Sequence, residues 1–423
     1  MDKVLMRPCP VCESQIGRTL HVQRFAVIDE FGSQEEVDIV ACGRCGMVFS
    51  DLETDQDALD RSYEERSKYA DMSLYAQDDG LVGEQDGEAP DPSPDATEAP
   101  FDLDRLQETA TWLSEWFDDR GLRVLDAGCA TGSLLGFLGA QGWQHLVGLD
   151  PSPMAAVAAR RVYGVEAHAA SFLDPPATIG QFDLVILSHV LEHLVEVQSA
   201  VGSMLELTKP GGNIYLEVPD AERYVDHLIA PVHDFNSEHV NHFSGRLLDL
   251  LMRRRGFESV TLGRKVVEIA PDRPYPAVFG VWRRPDEPSR ATAVTLDEGL
   301  ADAIEQYVAE SANLMGRIDQ HLRDELSGHG EVVVWGAGNL VMKLLTDTVL
   351  GAKDVVAVVD GSPQRQGLHL GGVRIVSPTA LDRTEPPIVV ASLHHDEAIV
   401  RAIVDEIGLP NPVVTLAGIG DVG

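Results

Sequence analysis

The chain has 423 residues, 44% of them hydrophobic, and 68 acidic against 33 basic side chains give a formal net charge of −35. That length predicts two to four domains with real cores, and the charge argues against nucleic acid as a partner, because phosphate contacts need clustered Lys and Arg. No stretch reaches the roughly 18 consecutive apolar residues of a membrane span, and MDKVLMRPCPVC at the N-terminus has no apolar leader, so the expectation is a cytoplasmic protein with no membrane partner.

Cys9-Pro-Val-Cys12 and Cys42-Gly-Arg-Cys45 stand 29 residues apart. Each pair can clamp one side of a tetrahedral ion through thiolates, the arrangement Zn²⁺ prefers. Two disulfides are the alternative, disfavoured in a reducing compartment. Residues 1–55 are therefore predicted to be a zinc-binding module, with strands over 19–27 and 37–41 and a structural ion bound by Cys9, Cys12, Cys42 and Cys45. In residues 56–100, Tyr63, Tyr69 and Tyr75 punctuate a polar segment, and residues 77–100 are acidic and rich in Pro and Gly. Such a stretch buries too little apolar surface to order itself, and it reads as a flexible linker or as a lid that orders on substrate.

Apolar residues at Leu103, Leu106, Ala110, Leu113 and Phe117 have helical spacing. They lead into Arg123-Val-Leu-Asp-Ala-Gly-Cys-Ala-Thr-Gly-Ser133, a buried strand turning sharply into a helix. Gly128 and Gly132 let a ligand approach the backbone. The next strand ends in Asp150, where doubly wound folds bond the hydroxyls of a ribose. A dinucleotide fingerprint would read Gly-x-Gly-x-x-Gly; here Asp126 sits beside the glycines and would repel a pyrophosphate. It suits the amine and sulfonium of S-adenosylmethionine.

The stretch resembles the class I S-adenosylmethionine-dependent methyltransferases, with Ala130 departing from their Asp-x-Gly-Cys-Gly-x-Gly. Phe182-Asp-Leu-Val-Ile-Leu-Ser188 and the Pro-Gly-Gly turn of Lys209 to Pro219 follow that pattern in order and spacing, and a terminal hairpin over 258–267 and 277–283 completes seven strands. The resemblance covers residues 101–285 and implies an α/β fold with a seven-stranded Rossmann-like sheet. It implies cofactor contacts from Asp126, Gly128, Cys129, Gly132, Asp150, Pro151, Ser171, Phe172, Ser188 and His189, with Phe172 against the adenine. Cys45-Gly-Met-Val-Phe49 is similar to the zinc module that precedes some sugar and natural-product methyltransferases.

His233-Asp-Phe-Asn-Ser-Glu-His-Val-Asn-His-Phe-Ser244 concentrates ionisable side chains in one loop. Methyl transfer to carbon requires loss of a proton, and an imidazole suits that near neutral pH. Glu238-His239 with Phe243-Ser244 resembles the active-site segment of the nucleotide-sugar C-methyltransferases. That resemblance implies His239 as base, Glu238 as its orienter or a ligand of a sugar hydroxyl, and His193 as a second catalytic residue. The resemblance also implies substrate contacts from Tyr69 and Tyr75, and Asn236 and Asn241 in the polar loop are further substrate-contact candidates. That family has Tyr where Asn236 stands, so O-methylation remains an alternative.

Residues 296–326 read as a long helix, the core of a bridge over 286–327. Glu331-Val-Val-Val-Trp-Gly-Ala-Gly-Asn339 is a second strand and glycine turn, and Val355 to Asp360 a second strand ending in an acid. Residues 328–423 resemble the C-terminal Rossmann-like domain of the sugar C-methyltransferases, which implies a site for the substrate's nucleotide; a scaffold or dimer role and a bound NAD are the alternatives. The expected function is methyl transfer to a small molecule, a nucleotide sugar or related precursor, by a monomer or homodimer using S-adenosylmethionine and structural Zn²⁺. A non-catalytic zinc-ribbon and Rossmann binding protein is the alternative of another class.

Overall fold

The computed structural model describes residues 2–28, 36–53, 56, 103–270, 273–287, 292–381, 386–393 and 396–419. Tyr63, Tyr69, Tyr75 and the acidic stretch 77–100 lie outside the described residues. Among the described residues no helix is long and apolar enough to cross a membrane.

At the N-terminus, β1 (Lys3–Val4), β2 (Ile16–Arg24), β3 (Glu36–Cys42) and β4 (Val48–Asp51) pair antiparallel. A fifth strand closes this sheet from far along the chain: Asn241–His242 pairs with Phe49 and Val48. Arg7 fastens the same junction. It is buried, and it donates to the carbonyls of Ser50 and Val240 and to Asn241 Oδ1 at 2.9, 2.7 and 2.9 Å.

The central unit runs α1 (Leu103–Trp116), β5 (Arg123–Ala127), α2 (Ser133–Ala140), β6 (His145–Asp150), α3 (Pro153–Tyr163), β7 (Glu166–Ala169), β8 (Phe182–Ser188), α4 (Val197–Leu207), β9 (Thr208–Pro219), β10 (Asn241–His242), α5 (Gly245–Arg254), β11 (Glu258–Ala270) and β12 (Arg273–Arg283). Its seven-stranded sheet has the order β11-β12-β9-β8-β5-β6-β7. The strands from β5 to β9 are mutually parallel, and β12 runs antiparallel between β9 and β11. Strand order reverses at β5, where the chain steps to β6 on one side and β8 on the other. In open α/β sheets a ligand crevice forms at the carboxyl ends beside such a point. Local signals fix the helices: Ser152 accepts from Ala155 N at 3.3 Å, Pro153 opens α3, and Gly164 closes it in the left-handed region at φ 66°.

The long helix α6 (Glu298–Glu325) joins two cores. Leu300, Ile304 and Tyr307 pack into the central core, and Leu314, Ile318 and Leu322 into the C-terminal one. That unit contains β13 (Glu331–Trp335), α7 (Asn339–Asp347), β14 (Asp354–Val359), β15 (His369–Leu370), β16 (Val373–Val376), β17 (Ile388–Val390), α8 (Asp396–Arg401) and β18 (Val413–Thr415). Its six-stranded sheet has the order β15-β16-β14-β13-β17-β18.

Candidate active site

Strand β5 is buried through Val124, Leu125 and Ala127 because helices cover both faces of a parallel sheet. It delivers Asp126 to the carboxyl edge. Gly128 follows at φ 84°, and a Cβ there would lie 2.5 Å from Val190 Cγ2, so only glycine fits. The N–H groups of Gly128 and Cys129 donate to the Leu149 carbonyl at 2.7 and 2.9 Å, which ties the turn to β6. Ala130 occupies the left-handed region at φ 46°, and its N–H donates to Asp150 Oδ2 at 2.9 Å. Ser152 N–H donates to Asp150 Oδ1 at 2.9 Å.

This turn forms one end of a cavity of about 550 Å³. Asp126, Gly128, Ala130, Asp150 and Phe172 line that end. Burial pushes the Asp126 carboxyl up to about 7, the Asp150 charge adds to the rise, and Arg105 opposes it. Burial also raises Asp150, against the two backbone N–H bonds that favour its charged form. Two acids destabilised by burial at an apolar wall are the environment a cationic sulfonium and amine would relieve, with hydroxyls bonding the free lone pairs of Asp150. The residues present therefore fit S-adenosylmethionine.

Below His189 lies a buried ion cluster. Glu217, fully buried in β9, has Oε1 3.2 Å from His189 Nε2 and 3.7 Å from Arg105 Nη1, and Oε2 2.8 Å from Lys265 Nζ. It also accepts the Tyr215 hydroxyl. Burial acts against ionised Glu217, but His189, Lys265 and Arg105 together hold its carboxyl well below the usual range. Arg105 also donates to Ser188 Oγ at 2.8 Å. Ser188 and His189 are thus positioned from beneath by paired charges.

The other end of the cavity is lined by His193, His233, Asn236, Glu238, His239 and Tyr275. Asn236 Oδ1 accepts from the N–H of Glu238 and of His239 at 2.9 and 2.8 Å, a side-chain turn that fixes the start of the loop. The His193 ring meets the His239 ring edge-on, centroids 5.0 Å apart at 69°. His193 Nδ1 lies 3.0 Å from the Glu238 carbonyl. Burial, then the neighbouring imidazoles His193, His242, His189 and His233, keep His239 well below the ordinary histidine value, so it is neutral at neutral pH. A neutral imidazole can accept a proton or ligate a metal.

Residues 101–262 match the sequence model of a family described as a methyltransferase domain. Residues 101–262 are a methyltransferase domain. Its curated relatives include the ubiquinone biosynthesis O-methyltransferase of Aromatoleum aromaticum, 34% identical over 120 residues, covering 26% of this chain and 51% of the relative. They also include the tRNA U34 carboxymethyltransferase of Shewanella pealeana, 29% identical over 136 residues, covering 28% of this chain and 40% of the relative. The chain spans about half the length of the curated relatives it matches, or less. Among solved structures, an S-adenosylmethionine-dependent methyltransferase from Methanosarcina mazei is 16% identical and covers 42% of this chain and 98% of its own, with a TM-score of 0.36.

Within the methyltransferase domain and its neighbours, the cavity wall includes Asp126, Gly128, Cys129, Asp150, Pro151, Ser171, Phe172, Ser188, His189, His193, Asn236, Glu238 and His239. Two sequence expectations need correction. Gly132 is not on the wall: at φ 81° it starts α2, and a Cβ there would meet Ala159 Cβ at 2.7 Å, so its place is helix packing. Asn241 is buried and fully used, donating to the carbonyls of Leu191 and Leu194 at 3.0 and 2.6 Å and accepting from Arg7. It braces the loop and cannot reach an acceptor.

The sequence reading missed Arg105, Glu192, Glu217, His233, Tyr275 and Asn339. Glu217 had a signal, an acid inside the apolar run Ile214-Tyr-Leu-Glu-Val218. Asn339 had none, because it reaches the cavity from the C-terminal unit. The four thiols converge: Cys9 and Cys45 Sγ lie 3.5 Å apart, and Cys12 and Cys42 Sγ 3.4 Å. None is in a disulfide. A tetrahedral ion with Zn–S bonds of about 2.3 Å sets sulfurs near 3.8 Å apart, so the cluster fits Zn²⁺.

Proposed function

We propose that the chain transfers a methyl group from S-adenosylmethionine to a sugar nucleotide or a related glycan or natural-product precursor, at carbon, with His239 taking the proton. One observation carries this reading: the cofactor turn at Gly128 to Ala130 and the imidazoles of His193 and His239 line a single cavity. Donor methyl and proton acceptor then share one chamber, as a positioned displacement requires. Asn236 and Glu238 offer polar contacts for a sugar. Asn339, at the start of α7, brings the second glycine turn to the same cavity and supports a nucleotide on that side.

In this reading the chain divides into a zinc module over 1–55, a segment over 56–100, the methyltransferase domain over 101–285, a helical bridge over 286–327 and a nucleotide-side domain over 328–423. The module's Cys cluster holds Zn²⁺, and the protein works in the cytoplasm. A second reading, O-methylation of a glycan or small metabolite, is favoured by the relatives that are ubiquinone biosynthesis O-methyltransferases. The same cavity serves it, with an imidazole drawing the proton from a hydroxyl.

Product NMR after incubation with S-adenosylmethionine and a panel of nucleotide sugars separates the two. A new C–CH3 signal is the expected result, an O–CH3 signal selects the second reading, and no methylated product on any sugar contradicts the acceptor class.

A further inference from the structure

Glu192, His193 and His239 line the cavity, and each offers a ligand atom, all within 4.8 Å of one another. We infer that the three form a divalent-cation site at the acceptor end of the cavity, which takes an oxygen of the acceptor as a further ligand.

Each residue is held as a ligand is held. Glu192 is 1% exposed in the turn after β8, and neither carboxylate oxygen makes a well-formed hydrogen bond. Its nearest neighbours are His189 Nδ1 and His193 Nε2, at 3.2 and 3.8 Å from Oε1. The His193 ring contacts the Glu238 carbonyl through Nδ1 at 3.0 Å. A carbonyl only accepts, so Nδ1 carries the proton and Nε2 keeps its lone pair in the neutral ring. That is the carbonyl–imidazole arrangement that orients metal-ligating histidines. His239 Nδ1 is buried without a hydrogen-bond partner, and its backbone is pinned by Asn236 at 2.8 Å. The Glu192 carbonyl in turn accepts from Val240 N–H at 2.9 Å, which locks the two ligand-bearing segments together.

A carboxylate with two imidazoles suits a borderline first-row ion such as Mn²⁺, Fe²⁺, Co²⁺ or Zn²⁺. Three protein ligands leave positions open for substrate. Coordination there would acidify an acceptor hydroxyl directly, or, by polarising an acceptor carbonyl, the carbon beside it. The proton transfer proposed above belongs to the ion-free His239 ring; with an ion bound that ring is a ligand and coordination acidifies the acceptor, so the two roles are alternatives that the titration below separates. Only the identity of the open-position ligand rests on the methyl-transfer reading; the ion site stands without it.

The test uses the full-length chain loaded with one equivalent of Zn²⁺, which the four thiolates take first, and freed of excess Zn²⁺. Mn²⁺ favours oxygen and nitrogen donors over thiolates, so titration followed by electron paramagnetic resonance reads this site alone, and Co²⁺ is titrated in parallel. The expected result is one saturable ion per chain, with affinity at least tenfold weaker in Glu192→Gln and in His239→Asn. Elemental analysis showing one Zn²⁺ per chain in each variant confirms that the fold survives. No saturable site for either ion in the wild type, or equal affinity in both variants, overturns the inference. S-adenosylhomocysteine is titrated into the same samples: ion binding without it fails the methyl-transfer reading alone, and nucleoside binding without an ion fails the cation site alone.

Discussion

Asp360 accepts backbone N–H bonds from Ala337 and Ser362 at 2.8 Å each, the same pair of bonds that Asp150 accepts from Ala130 and Ser152 at 2.9 Å each. Gly336 N–H donates to the Val359 carbonyl at 2.7 Å, as Gly128 N–H does to Leu149. Two glycine turns in two sheets thus use one bonding device. They differ in charge: Asp360 has Arg365 Nη1 at 3.3 Å, whereas Asp150 faces a second acid, Asp126, across the cofactor end. The first turn sets two acids near each other, and the second pairs its acid with a guanidinium. Asp360→Ala removes two charge-assisted bonds and should cost roughly 1.5–3 kcal/mol of stability, read as a lower denaturation midpoint. Binding of S-adenosylhomocysteine should stay within twofold of wild type; a larger loss contradicts the separation of the two turns.

Ala130 and Gly128 make an opposed pair of backbone predictions. Ala130 holds φ 46°, a region that costs a side chain roughly 1 kcal/mol. Ala130→Gly relieves that strain while adding unfolded-state freedom, so its melting temperature should change by no more than a few degrees and nucleoside binding should persist. Gly128→Ala sets a Cβ against Val190 and should abolish binding. Thermal melts with and without S-adenosylhomocysteine read both.

Proton linkage at Asp126 gives a pH prediction with a definite sign. Its carboxyl sits at about 7 in the free protein, raised first by burial. A cationic ligand favours the ionised form and lowers that value, so binding releases a proton below pH 7. Affinity for S-adenosylmethionine should rise between pH 6 and 7.5 and level above it. Calorimetry in two buffers of different ionisation enthalpy detects the released proton; affinity that falls over that range contradicts the assignment.

Arg7 connects the thiolate module to the loop that carries His239. Burial lowers its guanidinium to about 10, which leaves it charged at neutral pH. Arg7→Leu strands the carbonyls of Ser50 and Val240 and the Asn241 side chain, at a cost of about 2–4 kcal/mol. Val240 adjoins His239, so methyl transfer should fall at least tenfold while nucleoside affinity holds. If the four thiolates hold Zn²⁺ as proposed, chelating it should act in the same direction by loosening the module that carries Arg7. Unchanged turnover in Arg7→Leu contradicts this coupling.

Much of this was legible from local pattern. Asp126, Gly128 and Asp150 carry their spacing in the chain, and a parallel strand ending in an acid has few other uses. The seven-stranded sheet followed from apolar runs punctuated by glycine. What escaped the sequence depends on contacts between distant segments. Asn241 looked available in a polar loop, but the fold makes it a strand of the N-terminal sheet and encloses its amide. Gly132 looked like a ligand contact and serves Ala159 instead. Glu192 sat between two histidines already singled out, and only burial showed that its carboxylate faces the same cavity. Asn339 arrives from another sheet, a placement no local spacing encodes.

The central claim is that the cavity binds S-adenosylmethionine through Asp150, and calorimetric titration of the full chain with S-adenosylhomocysteine tests it most directly, with Asp150→Ala alongside. Saturable binding to the wild type, weakened roughly ten- to a hundredfold by the loss of charge-assisted bonds to the ribose, is the predicted result. No binding to the wild type at high protein concentration, or equal binding by both proteins, contradicts the account.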